Sequence, residues 1–296
     1  MMLNYRKYIT NTELDKQWHF YINTVGSASI QPNQSYPNNR AHPADHVLNW
    51  DKGRILNGYY LVFISKGKGI LDMENKSTTA INAGTCFFLF PGIWHRYRPD
   101  AKFGWEEYWV GFNGTYPASL VKNKIFSPDN AIVDVGLNVE LLNLFHTLMK
   151  ITSLAEPGYQ QIAIGITLQI LGVVMTASKY EQPSVSLEKR LISKAKFILQ
   201  ESIDNPLNLE EMVKELPMGY SKFRKVFKEI CGISPNQYHL NLRLNKAKDL
   251  LTTTNLTINQ IADQTGFESI FYFSRRFKAK NGISPKLFRD KMSKTE

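Results

Sequence analysis

The sequence predicts an α+β protein of more than one domain: an antiparallel β-barrel or jelly roll, a helical hairpin, and an all-α domain. Three observations carry this prediction. Residues 58–113 alternate short apolar and aromatic runs with Gly, Pro and Asn turns, the texture of a small all-β domain. Residues 137–180 hold two apolar-striped segments broken at Pro157-Gly158. Residues 208–289 repeat one helix–turn–helix pattern about fifty residues apart, and self-similarity at a fixed period marks a duplicated unit.

With 296 residues the chain is long enough for two or three cores. Its net charge of +10 is unevenly placed: residues 187–296 carry 20 Lys and Arg against 12 Asp and Glu, the rest 16 against 14. A basic third on a nearly neutral remainder is what a polyanion-binding module on a carrier shows. A solvated basic surface explains the charge equally well; the duplicated motif decides between them. Cys86 and Cys231 sit among apolar neighbours in different predicted domains, so they read as reduced, buried thiols. The N-terminus lacks the apolar core of a signal peptide. The run Ile162 to Ala177 is interrupted by Gln169 and reads as too short to span a bilayer. A cytoplasmic protein without a membrane segment is expected.

Up to about residue 57, Pro32, Pro37, Pro43 and several Asn predict an extended arm with irregular loops. Tyr36, Arg40, His42, His46, Trp50 and Arg54 give that arm a mixture suited to covering a polar ligand, or to ordinary loops and edges. Strands are then expected at Tyr60–Ile64, Ile70–Met73, Cys86–Phe90 and Trp105–Phe112, with turns at Lys66–Gly69, Asn75-Lys76 and Pro91-Gly92.

Leu141, Leu144, Phe145, Leu148 and Met149 form the stripe of an amphipathic helix. A second, more apolar helix follows over Tyr159–Tyr180, in which Gly165 and Gly172 leave smooth patches for close packing. The hairpin either caps the barrel or joins two copies of the chain; its apolar surface exceeds what one contact needs, which favours a homodimer. Glu181 to Ser184 reads as the linker.

In the basic third, Thr257 and Gln260 have the form of a capping box before the stripe Ile258, Ile261 and Ala262. Gly266 supplies a positive φ for a sharp turn, and Ser269 caps a helix that buries Phe273 and Phe277. The opposite stripe is Phe271, Arg275 and Lys278. Upstream, Asn208 and Glu211 repeat the cap, and Phe223 and Phe227 the buried pair, with Ser221, Arg224, Lys225 and Lys228 on the outer face. Ser234 and Pro235 begin a helix to about Leu251 that could hold two such units one turn of DNA apart. Here Pro217 stands where the turn glycine is expected and Val213 where a small residue is.

The stretch IADQTGFESIFYFSRRFKAKNGISPKLFR, with its weaker upstream copy, resembles the DNA-binding domain of the AraC/XylS family of bacterial transcription regulators. The run GTCFFLFPGIWHRYRP and then GWEEYWVGFNG is similar to the cupin effector-binding domain that precedes it in many members. The resemblance implies a cupin-like effector domain over residues 1–135, a dimerising hairpin over 136–180, a linker over 181–189 and a DNA-binding domain over 190–292. It implies base-facing positions at Ser221, Arg224 and Lys225 in the first motif and Ile270, Phe271, Tyr272 and Arg275 in the second. Lys228 reads as a phosphate contact; Ile270 and Phe271 offer apolar contact to thymine methyls. It further implies double-stranded DNA, RNA polymerase and a small-molecule effector as partners, the last a sugar held by aromatic faces and polar side chains. Trp50, Arg54, Trp94, His95, Arg96, Glu107 and Trp109 are the candidate lining residues.

Metal-dependent cupins need several His and a carboxylate around one ion. His95 follows Pro91-Gly92 as such a ligand would, but GYYLVFISKGKG offers it no partner. No metal, cofactor or enzymatic activity is expected. Two rivals remain open: a constitutive DNA-binding protein whose barrel only dimerises, and a cupin enzyme tethered to a DNA-binding domain.

Overall fold

A computed structural model describes residues 4–37, 48–179, 187–204 and 207–292. The chain divides into two units, residues 2–183 and 184–296.

The first unit begins with β1 (Arg6–Tyr8), the short α1 (Glu13–Lys16), β2 (Tyr21–Ile30) and β3 (Arg54–Ile55). It continues through β4 (Tyr59–Met73), β5 (Thr79–Asn82), β6 (Thr85–Leu89), β7 (Trp94–Pro99) and β8 (Trp105–Asn113). After α2 (Thr115–Lys122) and β9 (Ile132–Asp134) come α3 (Val139–Leu154) and α4 (Tyr159–Lys179). The strands run β1-β2-β8-β4-β6-β9 in one sheet, while β3-β7-β4-β5 form the other. Every pairing is antiparallel.

β4 belongs to both sheets. The turn expected at Lys66–Gly69 is instead a corner inside this 15-residue strand. The register with β8 slips between Ile64 and Lys66, and Gly67 sits at φ +79°. A Cβ on Gly67 would lie 2.1 Å from the Gly104 carbonyl oxygen, so only glycine lets the strand bend here. Upstream of the corner β4 pairs with β6 and β8, downstream with β5 and β7.

β2 is a second departure from the irregular arm expected before residue 57. Ten residues long, it pairs with β8 from Tyr21 opposite Asn113 to Ile30 opposite Trp105. Its Gly26-Ser27-Ala28-Ser29 core lacks the β-branched and aromatic residues that announce a strand. The large side chains of β8 select those small residues instead. The predicted linker at Glu181–Ser184, and Arg40, His42 and His46, lie outside the described residues.

The hairpin covers the outer face of the β2-β8-β4 sheet. Phe145 stacks on Phe63 at 6.2 Å and meets Tyr108 at 5.8 Å. The α4 helix is 21 residues long, and by length and composition it is capable of crossing a bilayer, contrary to the sequence expectation. Ala163, Ile170 and Val174 are fully buried on one side of it. Ile162, Gly165, Leu168 and Gly172 are exposed on the other.

The second unit is helical: α5 (Leu187–Glu201), α6 (Leu209–Lys214), α7 (Tyr220–Cys231), α8 (Pro235–Thr253), α9 (Ile258–Gln264), α10 (Ile270–Asn281) and α11 (Pro285–Met292). Two cores meet along α8. Leu199, Met212, Phe223 and Phe227 build the first, with Tyr238 and Leu242 of α8 against it. Leu244, Ala247, Ile261, Phe273 and Phe277 build the second. The 19-residue α8 spans about 28 Å at 1.5 Å per residue.

The local signals explain the ends of these helices. Thr257 and Gln260 form the reciprocal capping box, and Ser269 accepts from Tyr272 N. Ser234 caps α8 with Pro235 in its first turn. Asn208 accepts from Glu210 N and Glu211 N, without a return bond from Glu211. Gly266 turns at φ +69°. The first motif makes its turn with no residue at positive φ between Glu215 and Gly219; Met218 N donates to Leu216 O at 2.7 Å. Pro217 is accommodated because this turn asks for no left-handed residue.

Candidate effector cavity and DNA-binding face

Between the two sheets lies a cavity of about 580 Å³. Its floor comes from β8 and its neighbours. Strand alternation sends Trp105, Glu107 and Trp109 to one face of β8, and Tyr108, Val110 and Phe112 to the other. Arg6, Tyr8, Tyr36, Tyr60 and Tyr97 complete an aromatic, partly charged wall.

The Trp109 ring lies over Gly26, with Nε1 donating to Thr24 Oγ1 at 3.4 Å. The Arg6 guanidinium stands 5.7 Å from the centre of that ring. Arg54 donates through Nε to His95 Nε2 at 3.3 Å and through Nη2 to the Tyr97 hydroxyl at 2.8 Å. Because His95 Nε2 accepts, its proton sits on Nδ1, which donates to the Ile93 carbonyl at 3.1 Å. Burial, then the charge of Arg54, pushes the His95 pKa down to about 4, so the ring is neutral near pH 7. Glu107 moves the other way: burial raises its pKa to about 7 against the pull of Arg54 and Arg6.

Of the seven lining residues expected from sequence, Arg54, Glu107 and Trp109 line the cavity. His95 stands directly behind Arg54. Trp50, Trp94 and Arg96 do not line it. β7 alternates, so His95 and Tyr97 turn inward while Trp94, Arg96 and Arg98 turn outward. On that outer face Arg96 pairs with Asp72 at 2.7 Å and donates to the Trp50 carbonyl at 2.9 Å. Arg96 and Arg98 stack on the Trp50 ring at 4.4 and 3.8 Å, and Trp94 Nε1 donates to Lys52 O. Arg6, Tyr8, Tyr60 and Tyr97 were missed. Tyr97 was legible, two residues beyond His95 on one strand face; Arg6 and Tyr8 depend on the unforeseen β1–β2 pairing.

In the helical unit, α7 turns Phe223, Val226 and Phe227 inward and leaves Ser221, Arg224, Lys225 and Lys228 exposed. α10 buries Phe273 and Phe277 and exposes Phe271, Tyr272, Arg275 and Lys278, with Ile270 half-buried. Phe271 is 84% exposed. Arg275 and Arg276 lie 5.6 and 5.8 Å from the Tyr272 ring. Behind the second motif, Arg243 donates to Thr265 O at 2.6 Å and stacks on Phe267 at 3.9 Å. That pair ties α8 to the turn that aims α10.

These two features have counterparts in known proteins. Residues 39–169 match the AraC-like ligand binding domain, and residues 212–291 match a helix-turn-helix domain. The chain belongs to the AraC family. Proteins of this family are DNA-binding transcription regulators with a ligand-binding domain, and this AraC-family chain carries both parts. It is 25% identical over 239 residues to the Msm operon regulatory protein of Streptococcus mutans, covering 79% of this chain and 85% of that one. It is 24% identical over 305 residues to the raffinose operon transcriptional regulatory protein of Pediococcus pentosaceus, covering 94% and 96%. It is 26% identical over 245 residues to the arabinose operon regulatory protein of Salmonella typhimurium, covering 79% and 84%.

Proposed function

We propose that this AraC-family regulator is a cytoplasmic transcription activator whose effector is a sugar bound between the two sheets. The observation that carries the reading is the pairing of aromatic faces with polar anchors in one cavity: Trp109, Tyr60 and Tyr97 beside Glu107 and Arg54. Aromatic faces suit the apolar faces of sugar rings, and the polar side chains suit their hydroxyls. Relatives named for the raffinose and arabinose operons support the same effector class.

The DNA contacts are assigned to Ser221, Arg224, Lys225 and Lys228 on α7 and to Ile270, Phe271, Tyr272, Arg275 and Lys278 on α10. Arg224, Lys225 and Arg275 suit guanine edges; Ile270 and Phe271 suit thymine methyls. A homodimer would form through the exposed stripe of α4, where a Cβ on Gly165 or Gly172 would meet nothing within 4 Å. Dimerisation doubles the half-sites read, and RNA polymerase would be the downstream partner.

Thermal unfolding of the full chain against mono- and oligosaccharides tests the effector. A saturable rise in midpoint for one sugar is the expected result, since a ligand that binds the native state stabilises it. No rise across the series would point to a non-sugar effector or to a barrel that only dimerises.

A further inference from the structure

Glu107 is the one acidic residue among the described lining residues of the cavity, and it is 6% exposed. Its Oε2 is buried without a hydrogen-bond partner among the described residues. The residues directly opposite it bring no side-chain donor: Glu107 faces Ala28 on β2 and Ile64 on β4. Among the described residues, the charged and titratable groups around it are Arg54 from β3, Arg6 from β1, Tyr36 from the segment after β2, and Tyr97 from β7. Arg54 directs Nε and Nη2 to His95 and Tyr97, and His95 is neutral.

A buried carboxyl short of donors favours its neutral form, and a partner that donates to it favours the ionised one. Ligand chemistry therefore decides its protonation. A ligand carboxylate or phosphate would be repelled by the ionised group. A ligand ammonium would meet Arg6 and Arg54 in the same cavity. A neutral ligand rich in hydroxyls supplies the missing donors at no charge cost, and the Trp109 ring offers an apolar ring a surface.

We propose that Glu107 selects the effector: its carboxylate accepts hydrogen bonds from adjacent hydroxyls of a neutral, polyhydroxylated ligand laid against Trp109, and binding releases the carboxyl proton to solvent. The proposal rests on the effector reading of the cavity. It adds a specificity residue and a proton linkage that this reading does not require.

The test measures the affinity of the full chain for glucose, galactose, arabinose, melibiose and raffinose by calorimetry at pH 6 and pH 8. With a carboxyl titrating at about 7 in the free protein, the bound sugar's Kd is expected to be about tenfold weaker at pH 6 than at pH 8. Glu107→Gln is expected to bind more weakly than wild type at pH 8 and to lose the pH dependence. Unchanged circular dichroism and a retained cooperative unfolding transition of the N-terminal unit would confirm that the variant is folded. Equal Kd values for wild type at both pH values would overturn the proposal while leaving a sugar effector standing. Binding of gluconate or galacturonate in preference, tighter at pH 6, would overturn the ligand class. No binding by any of these probes would remove the sugar reading and the proposal together.

Discussion

The Trp109 indole occupies the space that a side chain at Gly26 would fill: a Cβ there would lie 2.2 Å from Cζ2 of the ring. The two residues face each other across β2 and β8. Gly26 therefore holds the ring flat along the cavity floor, and the same arrangement recurs where Tyr60 lies over Gly111.

Gly26→Ala must push the indole off that floor. Overpacking of this kind costs about 1–3 kcal/mol. The variant is expected to unfold at a lower temperature, to show altered tryptophan fluorescence, and to lose sugar-induced stabilisation. Retained stabilisation would show that the ring's placement does not matter to the effector.

The titrations of Glu107 and His95 pull stability in opposite directions. Folded Glu107 keeps its proton up to about 7 rather than 4.5, so its contribution is lost as pH rises between those values. Folded His95 stays neutral down to about 4 rather than 6.5, so its contribution is lost as pH falls through that interval. Glu107→Gln removes only the first. Its N-terminal transition is expected to match wild type near pH 4.5 and to exceed it at pH 8 by up to about 3 kcal/mol, from 1.36 kcal/mol per pKa unit. Thermal unfolding at the two pH values reads the difference directly. A binding group that weakens its own fold is a familiar stability–function trade-off.

Two phenylalanines two residues apart on α10 should separate folding from recognition. Phe273→Ala empties a fully buried site and is expected to cost about 3–5 kcal/mol, with the helical unit melting early. Phe271→Ala changes a side chain that is 84% exposed and should leave the melting temperature alone. Its effect should appear in DNA binding, as lost preference at one position; replacing thymine there by deoxyuridine should reproduce it, because only the methyl is removed.

Arg275→Ala distinguishes base reading from phosphate contact. A loss of about 1–3 kcal/mol confined to the preferred sequence marks a base contact. An equal loss on all DNA, with a shallower salt dependence, marks a phosphate contact. Competition binding at two salt concentrations measures both.

The helical unit was largely legible because its signals are local. Thr257 and Gln260, Ser269, and Ser234-Pro235 each act within one turn of chain, and the phenylalanine pairs set the buried face. The cavity was legible only in part because it is assembled from distant strands. Arg54, Glu107 and Trp109 were found; Trp94 and Arg96 were misplaced because register decides which face of β7 a residue occupies, and Trp50 because it packs on the outward-facing Arg96 and Arg98. β2 was missed since its small residues make sense only opposite Trp109. The corner at Gly67 looked like a turn since a bend inside a strand and a hairpin use the same residues.

The most direct measurement is the affinity of the full chain for DNA selected from a random pool, followed with and without each saccharide. The account predicts a selected sequence with two parts about one helical turn apart, and an affinity for it that one sugar changes saturably. Selection of no sequence, or an affinity that none of the sugars alters, would contradict it.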